Sequence, residues 1–205
     1  MLYAQREKLG WLSVALGKHF ARLGLTPNQW TLLGLLLTIV AAGWIIAGWF
    51  AVAALFVALA AFFDLVDGSV ARQQGMATTW GAYLDTVVDR YAEGILVVAL
   101  LFVAAPALFL PFQVWAGVYL VGSFMTTYVK AAAKEKELVK QDIKGGLFER
   151  AERMILLVIG LVLAPVTLSA LSVVVVILGV VSNISALQRI TIVASHAKAA
   201  GRRQK

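Results

Sequence analysis

Long stretches of this chain carry no charged side chain, and this feature constrains the fold more than any other. The 18 Lys and Arg residues fall into four clusters, at residues 1–22, 64–93, 130–153 and 189–205. The segments between the clusters are apolar, and hydrophobic residues make up 61% of the 205-residue chain. Because a hydrocarbon core of about 30 Å requires roughly 20 apolar residues per helix, the chain has room for about six spans. The sequence predicts an all-α integral membrane protein with six transmembrane helices.

Proline, glycine and polar residues delimit the apolar runs. Thr26 followed by Pro27 is a typical helix start, because threonine caps the first turn and proline suits the first helical position. The predicted spans begin near residues 26, 50, 79, 107, 148 and 167, and the last ends near residue 190. We therefore expect a single domain that consists of an interfacial amphipathic helix (1–24), a six-helix bundle (26–190) and a basic tail (191–205).

The basic clusters all lie at one end of the predicted helices. The turns near residues 49, 106 and 165 carry no charge and lie at the other end. Since Lys and Arg mark the cytoplasmic side of a membrane protein, both termini and the charged groups are predicted to face the cytoplasm of a multi-pass cell membrane protein. The net charge of +7 then faces anionic membrane lipid, and no nucleic-acid partner is predicted.

Four aspartates lie at the predicted cytoplasmic ends of the second and third spans. Asp64 and Asp67 are three residues apart, and Asp85 and Asp89 are four apart, so each pair shares a helix face. Ionised carboxylates at membrane depth are costly, and four of them repel one another. Divalent cations would compensate this charge, and all-oxygen ligation favours Mg²⁺ or Mn²⁺. The chain has no cysteine, which excludes thiolate ligands.

Small residues and an arginine accompany the aspartates. Gly68 directly follows one aspartate, and Gly81 lies one turn before another, so a bulky phosphate group can approach the backbone at both positions. Arg72 is close enough along the helix to reach phosphate oxygens. Cations, a guanidinium group and open backbone together predict a pyrophosphate site of the kind that phosphoryl transfer requires.

The segment DLVDGSVARQQGMATTWGAYLDTVVD, residues 64–89, resembles the signature of the CDP-alcohol phosphotransferase family. The signature reads DxxDGxxAR, eight residues, then GxxxDxxxD. Its fixed positions are filled by Asp64, Asp67, Gly68, Ala71, Arg72, Gly81, Asp85 and Asp89. Six spans after an interfacial helix also resemble the family's fold over the whole chain. The resemblance implies an enzyme that moves a phosphate-linked group from a CDP-activated donor to an alcohol and releases CMP.

The family resemblance further implies a homodimer with a cytoplasm-facing site for two Mg²⁺ or Mn²⁺ ions. The metal ligands that it implies are Asp64, Asp67, Asp85 and Asp89. Asp89 would also be the catalytic base that takes the proton of the acceptor hydroxyl, although a role as ligand alone stays open. Donor contacts are implied for Asn28, Thr31, Asp67, Gly68, Ala71, Arg72, Gly81 and Asp85. For the two residues of the first span, helix capping is an equally suitable interpretation.

A second basic cluster follows the motif, and it carries more positive charge than a neutral alcohol requires. Its members are Lys130, Arg150, Arg153 and Arg189. Such a cluster suits an acceptor that already carries a phosphate. The stretches TTYVKA, GLFERAER and QRI resemble the branch of the family that uses inositol 1-phosphate as acceptor and CDP-diacylglycerol or CDP-archaeol as donor. In that branch the four residues would bind the acceptor phosphate.

Several alternatives remain open from the sequence. Glycerol 3-phosphate is a second possible acceptor, CDP-inositol a second possible donor, and the basic cluster could be ordinary cytoplasmic charge. A cation transporter is the alternative from a different class, but its carboxylates would be expected near mid-membrane. A structural ion-pair network would use Arg72 and Arg90 as partners, and two cations cannot neutralise four aspartates. The phosphotransferase interpretation accounts for all of the motif residues.

Overall fold

The computed structural model describes residues 10–139 and 148–203. Within these residues the regular structure consists of seven α-helices, which confirms the predicted all-α class. They are α1 (Gly10–Ala21), α2 (Pro27–Ile46), α3 (Phe50–Gln73), α4 (Thr79–Leu100), α5 (Phe112–Glu135), α6 (Arg150–Leu163) and α7 (Leu168–Arg203).

Capping residues set the starts of the helices that carry the motif. The Thr26 side chain accepts a hydrogen bond from the Gln29 N–H, and the Gln29 side chain accepts one from the Thr26 N–H at 2.8 Å. Pro27 occupies the first helical position of α2, as the sequence predicts. Thr78 caps α4 by accepting a hydrogen bond from the Gly81 N–H at 3.0 Å. The short segments before α2 and α4 are therefore held by their own side chains.

In the described part of the chain, three helices are long and apolar enough to cross a membrane: Pro27–Ile46, Phe50–Gln73 and Leu168–Ala197. Helices α4 and α5 have similar lengths of 22 and 24 residues, and both carry charged side chains in the turns that face the aspartate end. Each of the helices α2 to α7 also exposes large apolar side chains, among them Leu36, Leu55, Val98, Val121, Ile155 and Val173. Exposed apolar surface on this scale suits lipid rather than water, which confirms a helical membrane protein.

Helix α7 is longer than the sequence predicted. The last span was expected to end near residue 190, whereas the helix continues to Arg203. The segment from 191 to 203 contains four alanines and no proline, so nothing in it interrupts the helix. Most of the predicted basic tail is therefore a direct continuation of the last helix.

The helices pack against both sequence neighbours and helices further along the chain. Helix α2 packs against α3 and α4, α5 against α4 and α7, and α6 against α3 and α7. The apolar core lies towards the uncharged turns, where Ile45, Val57, Leu100 and Leu161 are almost completely buried. Polar side chains occupy the interior at the opposite end, which is where the motif lies.

Helix α1 is fastened to α3 by close backbone contact. A Cβ atom at Gly17 would lie 2.6 Å from the carbonyl oxygen of Ser69, so only glycine permits the two helices to approach this closely. Next to this contact, Phe20 packs against a small buried cluster that contains Trp30 and Val66. The first described helix is thus part of the folded body and lies beside the carboxyl end of α3.

Candidate active site

Three of the four motif aspartates meet where α3 ends and α4 begins. Asp64, Asp67 and Asp85 each offer a carboxylate oxygen, and these oxygens lie within 4.8 Å of one another. Asp67 is buried, and the Thr31 hydroxyl of α2 donates a hydrogen bond of 2.7 Å to its Oδ2. Thr31 also contacts the Pro27 carbonyl oxygen at 3.2 Å, so its hydroxyl links the start of α2 to the aspartates.

The donor set of this cluster fits a divalent cation. Oδ1 of Asp85 is buried and has no hydrogen-bond partner among the residues that the structure describes. A buried carboxylate oxygen without a partner is unfavourable, and a cation held between the three carboxylates would satisfy it. Because all of the ligand atoms are oxygens, a hard ion such as Mg²⁺ or Mn²⁺ is the suitable kind.

The fourth aspartate is paired with an arginine from a distant helix. Nη1 of Arg150, the first residue of α6, lies 2.6 Å from Oδ1 of Asp89 and 2.9 Å from Oδ1 of Asp64. The nearest contact of Arg90 with Asp89 is much longer, at 3.9 Å. The main counter-ion of the aspartates therefore comes from α6 and not from the motif helices themselves.

A cavity of about 200 Å³ lies beside the aspartates, between the starts of α2 and α4 and the end of α3. It is lined by all eight residues that the sequence analysis assigned to the donor, Asn28, Thr31, Asp67, Gly68, Ala71, Arg72, Gly81 and Asp85. A Cβ atom at Gly81 would lie 3.2 Å from the Thr78 hydroxyl and 3.4 Å from Oδ1 of Asn28. Glycine at this position keeps the cavity wall open.

Helix α1 contributes a contact that the sequence analysis missed. Nη2 of Arg72 donates a hydrogen bond of 2.8 Å to the hydroxyl oxygen of Ser13. The same hydroxyl lies 3.1 Å from that of Ser69, which donates to the Leu65 carbonyl oxygen at 2.7 Å. Arg72 is therefore oriented by a residue 59 positions away, and no local sequence pattern indicates this pair.

Arg153 is buried in an ion pair behind the aspartates. Its Nε donates to Oε1 of Glu93 at 2.6 Å, and its Nη2 donates to Oε2 at 2.9 Å. The Tyr119 hydroxyl donates to the same Oε1 at 3.0 Å. Removing one partner of such a pair typically costs about 3–5 kcal/mol, because an uncompensated charge is left in the interior. Glu93 and Tyr119 were not among the predicted site residues.

The remaining basic residues of the predicted acceptor cluster lie on α5 and α7. Nη1 of Arg189 donates to the carbonyl oxygen of Thr126 at 2.5 Å, and Arg189 is buried. Nη1 of Arg153 lies 3.5 Å from the hydroxyl of Thr126, so both arginines contact one threonine. Lys130 is half-buried one turn further along α5. The structure thus brings residues of α5, α6 and α7 together around Thr126.

Comparison with known proteins shows which protein family the chain matches. A family model described as CDP-alcohol phosphatidyltransferase matches residues 24–195. The chain is 39% identical over 147 residues to phosphatidylinositol phosphate synthase of Corynebacterium glutamicum, which covers 70% of this chain and 66% of that protein. It is 32% identical over 160 residues to archaetidylinositol phosphate synthase of Pyrococcus horikoshii, covering 78% of this chain and 81% of the relative.

Solved structures agree with the sequence matches. Phosphatidylinositol phosphate synthase of Mycobacterium tuberculosis with CDP-DAG bound superimposes with a TM-score of 0.76 at 30% identity, over 88% of this chain and 92% of that one. The same enzyme in complex with manganese and citrate gives a TM-score of 0.78 at 31% identity, over 88% of both chains. This chain belongs to the CDP-alcohol phosphatidyltransferase family, which confirms the family that the motif indicated.

Proposed function

We propose that this protein transfers the phosphatidyl-type group of a CDP-linked lipid to the hydroxyl group of inositol 1-phosphate and releases CMP. The observation that carries the proposal is the cavity beside the aspartate cluster, which is lined by the eight residues proposed to contact the donor. A site of this kind combines an opening for a diphosphate with converging carboxylates and an arginine. Phosphoryl transfer depends on such positioning and charge stabilisation.

The four aspartates are proposed to hold two divalent cations, Mg²⁺ or Mn²⁺. The converging oxygens of Asp64, Asp67 and Asp85 and the unpartnered oxygen of Asp85 support this assignment. Asp89 would complete the set from one turn further along α4. When bound, the cations supply charge stabilisation for the pyrophosphate and for the leaving CMP.

Two side chains are proposed to have distinct roles in the transfer reaction. Arg72 is placed in the cavity wall and is proposed to hold phosphate oxygens of the donor. Asp89 is proposed to take the proton of the acceptor hydroxyl. The acceptor oxygen then forms a bond to the lipid-linked phosphorus, the bond from this phosphorus to the bridging oxygen breaks, and CMP leaves with the electron pair.

The acceptor is proposed to bind through its phosphate to the basic cluster of Lys130, Arg150, Arg153 and Arg189. Arg150 supports this assignment most directly, because its guanidinium group lies against Asp89. The names of the matched relatives point to the same acceptor, since they are phosphatidylinositol phosphate and archaetidylinositol phosphate synthases. Both ester-linked and ether-linked lipids occur among those names, so CDP-diacylglycerol and CDP-archaeol are the donors to be tested.

The proposed setting is a multi-pass protein of the cell membrane with α1 at the interface, six spans formed by α2 to α7, and termini and active site in the cytoplasm. The concentration of charged residues at the aspartate end supports this orientation. A homodimer is proposed as the assembly. The exposed apolar side chains of α4 and α5, among them Val98 and Val121, are candidates for its interface.

The test is release of CMP by the purified protein with Mg²⁺ and CDP-diacylglycerol or CDP-archaeol. Inositol 1-phosphate, glycerol 3-phosphate, free inositol and serine are compared as acceptors. We expect release with inositol 1-phosphate, and its loss in Asp89→Asn. Glu135→Gln, which alters an exposed carboxylate of the Glu135–Lys136 pair, is the matched control and should retain activity. Release with none of the acceptors under any metal would contradict the proposed function.

A further inference from the structure

Glu93 is a buried carboxylate for which the proposed chemistry has no role. It lies one turn after Asp89 on α4, and its side chain is fully inaccessible. Each of its oxygens has two donors. Oε1 accepts from Nε of Arg153 and from the Tyr119 hydroxyl, and Oε2 accepts from Nη2 of Arg153 and from Nη1 of Arg90 at 2.9 Å. The four lone-pair sites of the carboxylate are thereby all used.

These contacts hold the planar guanidinium group of Arg153 in one orientation. Two parallel hydrogen bonds to one carboxylate fix both its position and its plane. The third nitrogen, Nη1, is left facing the Thr126 hydroxyl at 3.5 Å. The carbonyl oxygen of Thr126 in turn accepts from Arg189. The orientation set by Glu93 therefore extends from α4 through α6 and α5 to α7.

The same contacts fix the start of α6. Arg150 precedes Arg153 by one turn, so the two guanidinium groups extend from neighbouring positions on one helix face. With Arg153 held against α4 and α5, Arg150 is directed to Asp64 and Asp89. The contact of α6 with Glu93 thus determines where the guanidinium group of Arg150 lies beside Asp89.

The net charge of Glu93 and its two arginine partners also suits an anionic ligand. Glu93 contacts two guanidinium groups, those of Arg90 and Arg153, so one negative charge faces two positive charges. Apolar residues of similar volume commonly stabilise an interior as well as a buried ion pair does. Stability alone therefore gives no reason for this cluster, whereas orientation of cations towards a phosphate does.

We propose that Glu93 is a positioning residue for the acceptor. It orients Arg153 and, through it, the arginines Arg150 and Arg189 that receive the acceptor phosphate, without touching the acceptor itself. The inference rests on the proposed function for the identity of the acceptor. It predicts that Glu93 affects binding of the acceptor and leaves binding of the CDP-linked donor unchanged.

The first test is steady-state kinetics of Glu93→Gln with each substrate varied in turn. The variant loses the charge that holds Arg153, so KM for inositol 1-phosphate should rise by about tenfold or more, as expected when a hydrogen bond to a charged group is lost. KM for the CDP-lipid should stay within about twofold of wild type. An unchanged KM for the acceptor, or an equal rise of both KM values, would overturn the inference.

Tyr119→Phe is the second variant and keeps the test decisive if Glu93→Gln does not fold. It removes one donor to Oε1 and leaves every charge in place. A smaller rise of the acceptor KM, about threefold, with unchanged donor KM is the expected result. Ser172→Ala is the control, because Ser172 is equally buried but bonds to the Pro106 carbonyl oxygen at the uncharged end. It should lower the melting temperature without changing either KM.

A double variant separates positioning from stability. Glu93→Gln with Arg153→Met removes both charges of the pair, so the melting temperature should recover towards that of wild type while the acceptor KM stays high. Recovery of both quantities together would show that neither Glu93 nor Arg153 takes part in acceptor binding. Calorimetry of inositol 1-phosphate binding in the absence of the CDP-linked donor measures the affinity for the acceptor without catalysis. Failure of the proposed transfer is thereby distinguished from failure of this inference.

Discussion

Among the motif aspartates, Asp85 carries a buried oxygen that has no hydrogen-bond partner within the described residues. Asp67 accepts a hydrogen bond from Thr31, and both Asp64 and Asp89 contact Arg150. Oδ1 of Asp85 is buried and, within the described residues, accepts no hydrogen bond. A bound cation would stabilise this carboxylate, because its buried oxygen has no hydrogen-bond donor.

Asp85→Asn is therefore expected to weaken cation binding most clearly. The amide keeps the size of the side chain and removes the charge, so Mn²⁺ affinity should fall by about tenfold or more, and CMP release by about 10²–10³-fold. Mn²⁺ binding is measured by calorimetry on the purified protein, with Glu135→Gln as control for loss of a carboxylate remote from the site. Unchanged Mn²⁺ affinity in Asp85→Asn would contradict the assignment of Asp85 as a ligand.

At the scale of helices, α1 and α3 act as one unit next to the cavity. Gly17 permits the close approach, and Ser13 uses it to reach Arg72. A guanidinium group with a fixed hydrogen-bond partner loses less freedom when it binds a phosphate. Helix α1 therefore contributes to the proposed donor site although none of its residues lines the cavity.

Substitution of single glycines in α1 tests this contribution. A methyl group at Gly17 would collide with the Ser69 carbonyl oxygen, whereas at Gly10 it meets nothing within 4 Å. Gly17→Ala should displace α1, break the contact between Ser13 and Arg72, and raise KM for the CDP-lipid by about threefold to tenfold. Gly10→Ala, the matched control on the same helix, should leave this KM unchanged. Equal effects of the two variants on this KM would contradict the role of α1.

Local residue spacing predicts the helices that carry the motif. It does not predict the ion pairs between distant helices, which depend on tertiary packing. Spacings of three and four residues place the aspartates on shared faces, and the eight residues assigned to the donor from the sequence line one cavity. The partners of Asp64 and Glu93 lie 86 and 60 residues away in the chain. These pairs depend on which helices pack together, and hydropathy does not encode that order. Helix α7 continues beyond the last predicted span, because no residue there breaks the helix.

For the whole molecule, polar and apolar interiors are separated along the bundle. Residues such as Ile45, Phe112 and Leu161 fill the core towards the uncharged turns. Buried Glu93 and Arg153 belong to the end that carries the aspartates. A bundle with this division has one end that is stabilised by packing and another that carries the charged groups of the proposed site.

The orientation of the bundle can be measured because the chain has no native cysteine. Phe109→Cys places a thiol in the fully exposed turn between α4 and α5, and Lys136→Cys places one just after α5, also in an exposed position. A membrane-impermeant maleimide should label the first variant in intact cells and the second only after permeabilisation. The reverse pattern would invert the proposed topology, and labelling of both in intact cells would contradict a span formed by α5.

Helix α7 has a geometric consequence beyond the bundle. Its 36 residues extend over about 54 Å at a rise of 1.5 Å per residue, whereas the hydrocarbon layer is about 30 Å thick. If α7 crosses the membrane close to the bilayer normal, about four of its turns lie outside the hydrocarbon, even though Arg189 on the same helix is buried against α5. The continuous helix would then connect the interior of the bundle to the aqueous phase. Any surface that holds its outer end also fixes the tilt of the segment that carries Arg189.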